Sequence, residues 1–218
     1  MSTDYNRAHH GFAVFTAGVT FVLLIAGALV TSNDAGLAVP DWPTSFGSLY
    51  KIPPMVGGVK YEHGHRMVAQ FVGLLTIVLA LWTWRVDRRA WMRKLGFAAL
   101  ALVIVQGILG GITVLYFLPP WVSTAHATLA QTFFCTVVLI AVFTSRGWLE
   151  ATQLQLLDVR RPSLLALSRL TVAAVLVQLV LGAAFRHSGL KLMPHLLLAA
   201  VVTILTLWTV TRVLSGYS

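Results

Sequence analysis

Charge is what this chain has least of. Its 218 residues include 16 Lys and Arg and only 7 Asp and Glu, so 11% of positions are charged, against about 25% in a water-soluble globular domain. That shortage excludes a surface coated for water. Cysteine is scarcer still: Cys135 stands alone inside an apolar run, which excludes an intrachain disulfide and says nothing of redox compartment. The shortage of acid leaves a net charge of +9. In a membrane chain, basic residues gather in cytoplasmic loops against lipid headgroups, so the surplus points to lipid and not to nucleic acid.

What is abundant is apolar sequence, 57% of residues with a mean hydropathy of +0.80. A membrane helix needs about 20 such residues. Six runs qualify, at 12–31, 66–84, 95–117, 122–144, 165–185 and 193–213. The first exceeds a signal-peptide core of roughly 7–15 residues and lacks a clear small-x-small cleavage site, so it reads as a helix. The connection after the second span carries Arg85, Arg88, Arg89, Arg93 and Lys94; that after the fourth carries Arg146, Arg160, Arg161 and Arg169. The connection around Pro119-Pro120 has no basic residue, and Lys51 and Lys60 in the first are offset by Asp34, Asp41 and Glu62. Positive connections mark the cytoplasmic side. Both termini are therefore expected in the cytoplasm. His65, opening the second span, and His126, opening the fourth, are expected at similar depth near the outer face.

The first outer connection, Thr31 to Tyr61, is far longer than the others, and long loops in compact proteins are usually functional or disordered. Its Val39-Pro40-Asp41-Trp42-Pro43 reads as a stiff turn. Trp42, Phe46, Leu49 and Tyr50 suit the membrane interface. The loop reads either as an interfacial anchor or as a lid leading into Glu62. A repeat is also legible. Gly27-Ala28 ends the first span and Gly182-Ala183 the fifth, each followed by a loop and a span opening on histidine, His65 and His195. Gln106-Gly107-Ile108-Leu109-Gly110 echoes Gln178-Leu179-Val180-Leu181-Gly182. Leu192 and Leu196 occupy the places of Glu62 and Arg66, so one half carries acid and arginine and the other does not.

A lone membrane histidine commonly packs helices through hydrogen bonds. Two at one depth on separate spans, with Gly, Ala and Thr around them, suit axial heme ligation. Zinc would need His63 as a further ligand. Arg66 is expected on a heme propionate, the plainer alternative being a snorkelling arginine. Glu62, three residues before His65, shares its helix face; it reads as a proton carrier or as a glutamate favoured by the helix dipole. His9 and His10 are expected in solvent, and His187 beside Arg186 at the surface of the fifth connection.

Several stretches together resemble the heme A synthase family: Gly27-Ala28-Leu29-Val30-Thr31-Ser32, Gly36-Leu37-Ala38-Val39-Pro40-Asp41-Trp42-Pro43, Glu62-His63-Gly64-His65-Arg66, Gln106-Gly107-Ile108-Leu109-Gly110-Gly111 and His126-Ala127-Thr128-Leu129-Ala130-Gln131. The resemblance implies a membrane oxidoreductase that converts the methyl group of heme O to the formyl of heme A for heme-copper oxidase assembly. It implies His65 and His126 as axial ligands of that heme, Glu62 as the catalytic carboxylate, Arg66 as heme-binding, and His195 as a ligand of a heme b. Family members carry eight helices, the last supplying the partner of His195, which the six spans here do not include. Many relatives have a cysteine pair where Ala38 and Val39 stand, so a thiol mechanism is not expected.

The expected fold is an all-α polytopic membrane protein with six transmembrane helices. Residues 1–146 would form a four-helix repeat with the substrate-heme site, and 147–218 a partial second repeat. The expected setting is the cell membrane, or the mitochondrial inner membrane in a eukaryote, with the site toward the outer face. Expected partners are heme O, an electron donor of the quinol class, heme O synthase or oxidase assembly factors, and a second copy in a homo-oligomer. Two other readings compete. One is a non-catalytic bis-histidine cytochrome b fed by quinol; the other is a transporter or assembly subunit without heme.

Overall fold

The computed structural model describes residues 5–150 and 161–215. Arg160, counted above among the basic loop residues, lies outside them. Seven helices follow in order: α1 (Arg7–Ser32), α2 (Val59–Val86), α3 (Ala90–Leu115), α4 (Pro120–Phe143), α5 (Arg146–Glu150), α6 (Leu164–Ser188) and α7 (Leu192–Leu214). All but the short α5 are long and apolar enough to cross a membrane. The chain is an all-α, multi-pass membrane protein, and its described residues contain no strand beyond an isolated bridge between Ser45 and Ser48.

Local chemistry sets the helix ends. The Asn6 side chain accepts the His9 amide at 3.0 Å and starts α1, and Ser163 does the same for Ala166 at the start of α6, each satisfying an orphan donor of the first turn. Pro120 occupies the first turn of α4, where its missing N–H costs nothing. Gly189, at φ 67°, ends α6 in the left-handed conformation that glycine adopts freely. Helix α2 begins at Val59, well before the apolar run at 66, so Glu62, His65 and Arg66 stand inside its first turns. Arg186 and His187, expected in a loop, form the last turn of α6 instead, where positive charge suits the dipole.

Two compact units divide the chain, Met1–Ala151 and Thr152–Ser218. In the first, α1 packs on α2, α2 on α3, α3 on α4, and α4 back on α1. Among the described residues the backbones of α2 and α4 do not approach closely, nor do those of α1 and α3, so each pair lies on a diagonal of a four-helix bundle. The apolar core is off-centre. Ala13, Val72, Leu79, Met92, Ala99, Phe133, Val137, Ile140 and Ala141 fill the end where α2 turns into α3, here called the corner end. The other, called the loop end, is covered by residues 33–58.

At the corner end Asp87 is 1% exposed. It takes Arg89 at 2.6 Å, and Arg89 also donates to the Phe143 carbonyl at 2.9 Å. His9 and His10 are not in solvent as the sequence suggested. His9 is buried with Nε2 2.9 Å from Thr83 Oγ1, and His10 Nδ1 lies 3.1 Å from the Ala141 carbonyl. Both lock the start of α1 to distant turns.

In the second unit α6 and α7 form an antiparallel pair. Leu167 and Leu205 are its only buried described residues, and Thr171 and Thr209 hydroxyls meet at 2.9 Å beside them.

Candidate functional site

Between the corner core and the loop end, the bundle has a belt with no buried residue. It spans 21–34 on α1 and just beyond, 63–71 on α2, 100–110 on α3 and 124–132 on α4. Buried residues bound it on both sides: Thr20, Val72, Ala99 and Phe133 below, and Ala35, Glu62, Gly111 and Ser123 above. Nine helical residues rise about 14 Å. All four helices thus leave side-chain space open at one level, comparable in height with a flat macrocycle.

His65 and His126 lie in that belt, on diagonal helices. Each ring rests on a glycine of a neighbouring helix. A β-carbon on Gly27 would sit 3.1 Å from His65 Cε1, and one on Gly110 would sit 3.4 Å from His126 Cε1. The contact at Gly27 is tight enough that a side chain there would push the ring, while that at Gly110 is ordinary van der Waals contact. Nδ1 of the His65 ring is buried without a partner. In the second unit His195 repeats the arrangement, with Gly182 beneath Cε1 at 3.0 Å.

Glu62 and Arg66 turn from the belt toward the loop. Glu62, 4% exposed, accepts the Val39 amide at 2.8 Å and Arg66 at 2.5 Å. The remaining terminal N–H groups of Arg66 reach the carbonyls of Asp41 at 2.7 Å, Thr44 at 3.1 Å and Val39 at 3.2 Å. This fork is the geometry a guanidinium offers and an ammonium does not. The propionate contact expected of Arg66 therefore competes with four protein acceptors. His63, weighed as a zinc ligand, instead meets Ser45 Oγ at 3.1 Å. Among the described residues no group of three His, Cys, Asp or Glu converges on a metal site.

The loop held this way is a folded cover. Asp41 accepts from the Thr44 hydroxyl, from the Phe46 amide at 2.7 Å and from Gly47 at 2.8 Å. Phe46 sits at φ 53°, an uncommon conformation for a bulky residue, and the Asp41 carboxylate holds it there. Burial is the largest single influence on Asp41 and pushes its carboxyl up, but its hydrogen bonds together outweigh it and hold it below the usual carboxylate range. The Trp42 indole lies against Gly111, where a β-carbon would come within 2.7 Å of three ring atoms. Leu118 seats on Gly36, and Ala38 on Gly58. Phe46, Leu49 and Tyr50 are exposed, as an interfacial face requires, whereas Trp42 has one side committed to α3.

Sequence reasoning singled out Glu62, His65, Arg66, His126 and His195, and the first three cluster at the loop end of α2. It missed Trp42 on Gly111 and Val39 on Glu62. Only the Gly-Gly pair at Gly110-Gly111 hinted that two groups approach α3 there.

Known proteins place this geometry in context. A family described as cytochrome oxidase assembly protein has a sequence model that matches residues 59–192, which takes in Glu62, His65, Arg66 and His126, while His195 falls just beyond. The chain is 33% identical over 142 residues to a heme A synthase of Lysinibacillus sphaericus, covering 64% of this chain and 46% of that one. A heme A synthase of Alkalihalophilus pseudofirmus is 29% identical over 143 residues, covering 65% and 48%. One from Symbiobacterium thermophilum is 31% identical over 189 residues, covering 84% and 60%. The chain spans about half the length of the curated relatives it matches first. No solved structure matches it significantly.

Proposed function

The chain belongs to the cytochrome oxidase assembly protein family, and from that premise we propose that it is a membrane oxidoreductase of the heme A synthase type, oxidising the methyl group of heme O to the formyl of heme A. The observation that carries this reading is the belt: four helices leave one level open, and an imidazole enters it from each of two diagonal helices. The residues fit a flat, metal-centred substrate. Each imidazole packs against a glycine of a neighbouring helix, His65 Nδ1 is buried without a partner, and two nitrogen donors from diagonal helices suit axial ligation.

When bound, the heme iron supplies the oxidising chemistry at its own substituent. The chain's residues hold and shield. His65 on α2 and His126 on α4 are the residues that would hold the heme, each through an imidazole nitrogen. Glu62, one turn above His65, is the acid–base group, set by Val39 and Arg66 so that its carboxylate keeps one position. Arg66 acts through the loop, and residues 33–58 keep bulk water from the belt. The loop end faces outward, both termini are cytoplasmic, and His195 is a ligand in a second heme site. The bis-histidine cytochrome alternative shares the ligands and gives Glu62 only its hold on Val39 and Arg66.

Pigment extraction tests the proposal. The full chain, purified from membranes that also make heme O, is expected to yield heme O and heme A. His65→Ala or His126→Ala removes the heme, and Glu62→Ala keeps heme O with no heme A. A chain without a Soret band would overturn the heme reading. Unchanged heme A in Glu62→Ala would overturn the role of the carboxylate.

A further inference from the structure

Each imidazole of the belt has a polar residue three positions before it. On α2 Glu62 precedes His65, and on α4 Ser123 precedes His126 at the same spacing. Each therefore shares its histidine's helix face, one turn nearer the loop end. Both are buried, at 4% and 7% exposure. They differ in what holds them. Glu62 is bonded to Val39 and Arg66, whereas the Ser123 hydroxyl is buried without a partner. In the second unit the same place before His195 is taken by Leu192, which is exposed.

Helix α4 shows how unusual that hydroxyl is. Thr124, Thr128, Thr132 and Thr136 each donate to the carbonyl four residues back, at 2.8, 2.9, 3.2 and 2.8 Å. The carbonyl four residues before Ser123 is that of Pro119, and it accepts the Ser123 amide at 3.0 Å, not the hydroxyl. On α3, Thr113 likewise donates to the Gly110 carbonyl at 2.6 Å. A buried hydroxyl without a partner has given up its hydration for nothing. Ser123 Oγ, at the rim of the open belt, is thus suited to a hydrogen-bonding atom that the chain itself does not supply.

The surrounding charge decides what kind. From Leu95 to Ser145 the sequence has no Asp, Glu, Lys or Arg, so apart from His126 the α3–α4 hairpin has no ionisable group but Tyr116 and Cys135. Glu62 and Arg66 stand on the diagonal helix, paired with each other. A carboxylate brought to Ser123 would be buried with no counter-charge on its hairpin, which is costly. A neutral hydroxyl suits it, since serine both donates and accepts, and hydrocarbon attached to that hydroxyl would meet apolar neighbours. Heme O carries such a group: where heme B has a vinyl, heme O has a hydroxyl-bearing carbon extended by an isoprenoid tail. We propose that Ser123 is a specificity-determining residue that hydrogen-bonds this hydroxyl, on the uncharged side of the belt, and so favours heme O over heme B. The proposal rests on the heme reading above and deepens it.

Soret titration of the heme-free full chain in detergent, with heme O and with heme B, tests it. Ser123→Ala should weaken heme O binding about 5–10-fold, the loss of one hydrogen bond, and leave heme B binding unchanged. Comparing variant with wild type on each heme cancels the contribution of the tail. Ser123→Cys keeps the volume but is only a weak donor and acceptor, so it should follow alanine. Melting of the heme-free chain should not fall in Ser123→Ala, because no bond within the chain is lost. Equal weakening for both hemes, or no change for either, as an ordered water or a purely structural serine would give, overturns the proposal and leaves the heme reading standing. So does a cysteine variant with the wild-type preference, which would show that volume is read and not the hydroxyl. A wild-type chain that binds neither heme overturns both.

Discussion

The two ends of the four-helix unit use the same device to different ends. At the loop end Glu62 and Arg66 pair at 2.5 Å, and at the corner end Asp87 and Arg89 pair at 2.6 Å; all four side chains are at most 14% exposed. Each arginine also takes backbone carbonyls from a distant segment, Val39, Asp41 and Thr44 for Arg66 and Phe143 for Arg89. Each pair has histidines nearby. What separates the ends is what lies beneath the pair. Below Asp87–Arg89 the bundle is packed with Leu79, Ile140 and Ala141. Below Glu62–Arg66 it is open, and the histidines there rest on glycine. A buried acid–arginine pair therefore marks a joint in this fold; the open belt marks the site.

Breaking both pairs should separate the two roles, and this is the largest effect expected. Asp87→Ala leaves Arg89 buried without its counter-charge next to the packed core, which costs about 3–5 kcal/mol. Its thermal unfolding in detergent should fall accordingly, while the protein that remains folded keeps a normal heme spectrum. Glu62→Ala should leave the corner end intact and raise amide exchange only in residues 33–58. If Asp87→Ala melts normally and loses heme, or Glu62→Ala unfolds the whole bundle, the division of labour is wrong.

A smaller contrast runs along α3. Gly111→Ala drives a methyl into the Trp42 ring, where the nearest atom is 2.6 Å away; overpacking of this kind costs about 1–3 kcal/mol. Gly107, one turn earlier, has nothing within 4 Å. There alanine should stabilise the helix by up to about 1 kcal/mol. Thermal melting and protease sensitivity of the loop measure both. Equal behaviour of the two variants would mean that Trp42 does not hold the cover on α3.

How much of this was legible beforehand depended on the residue. The six spans were, because lipid demands about 20 apolar residues and the runs announce themselves. The start of α2 was not. Hydropathy reports apolar surface rather than helicity, and Lys60, Glu62 and Arg66 are polar residues in a helix that has already begun at Val59. His9 and His10 looked solvated because they stand near a terminus, yet their partners Thr83, Ala141 and Thr144 lie more than seventy residues away. Glu62 and His65 could be placed on one face from their spacing alone. That Glu62 points to the loop could not, since Val39 has no side-chain signal for donating its amide. Gln106 and Gln178 were visible as an echo between spans; only the seating of each imidazole on glycine gave the echo a physical meaning.

The smallest effect sharpens the same comparison through pH. Asp41 is the acceptor that closes the loop turn, and its hydrogen bonds hold its carboxyl below the usual carboxylate range despite the opposing influence of burial. A carboxyl depressed by folding contributes stability that is fully present above its unfolded value, about 3.9, and is lost as pH falls through the folded value. The Phe46 and Gly47 amides that it accepts should keep constant protection against hydrogen exchange above about pH 4–5 and lose it progressively in more acid solution, once intrinsic exchange rates are divided out. Asp41→Asn should show weaker protection with no such dependence. Since Phe46 is held at a positive φ by these bonds, the turn should open before Arg66 releases Asp41 and Thr44 through their carbonyls, which do not titrate. Protection at Phe46 that stays flat down to pH 2 would show that the carboxylate is not what holds the turn, and that the Arg66 contacts suffice for the cover.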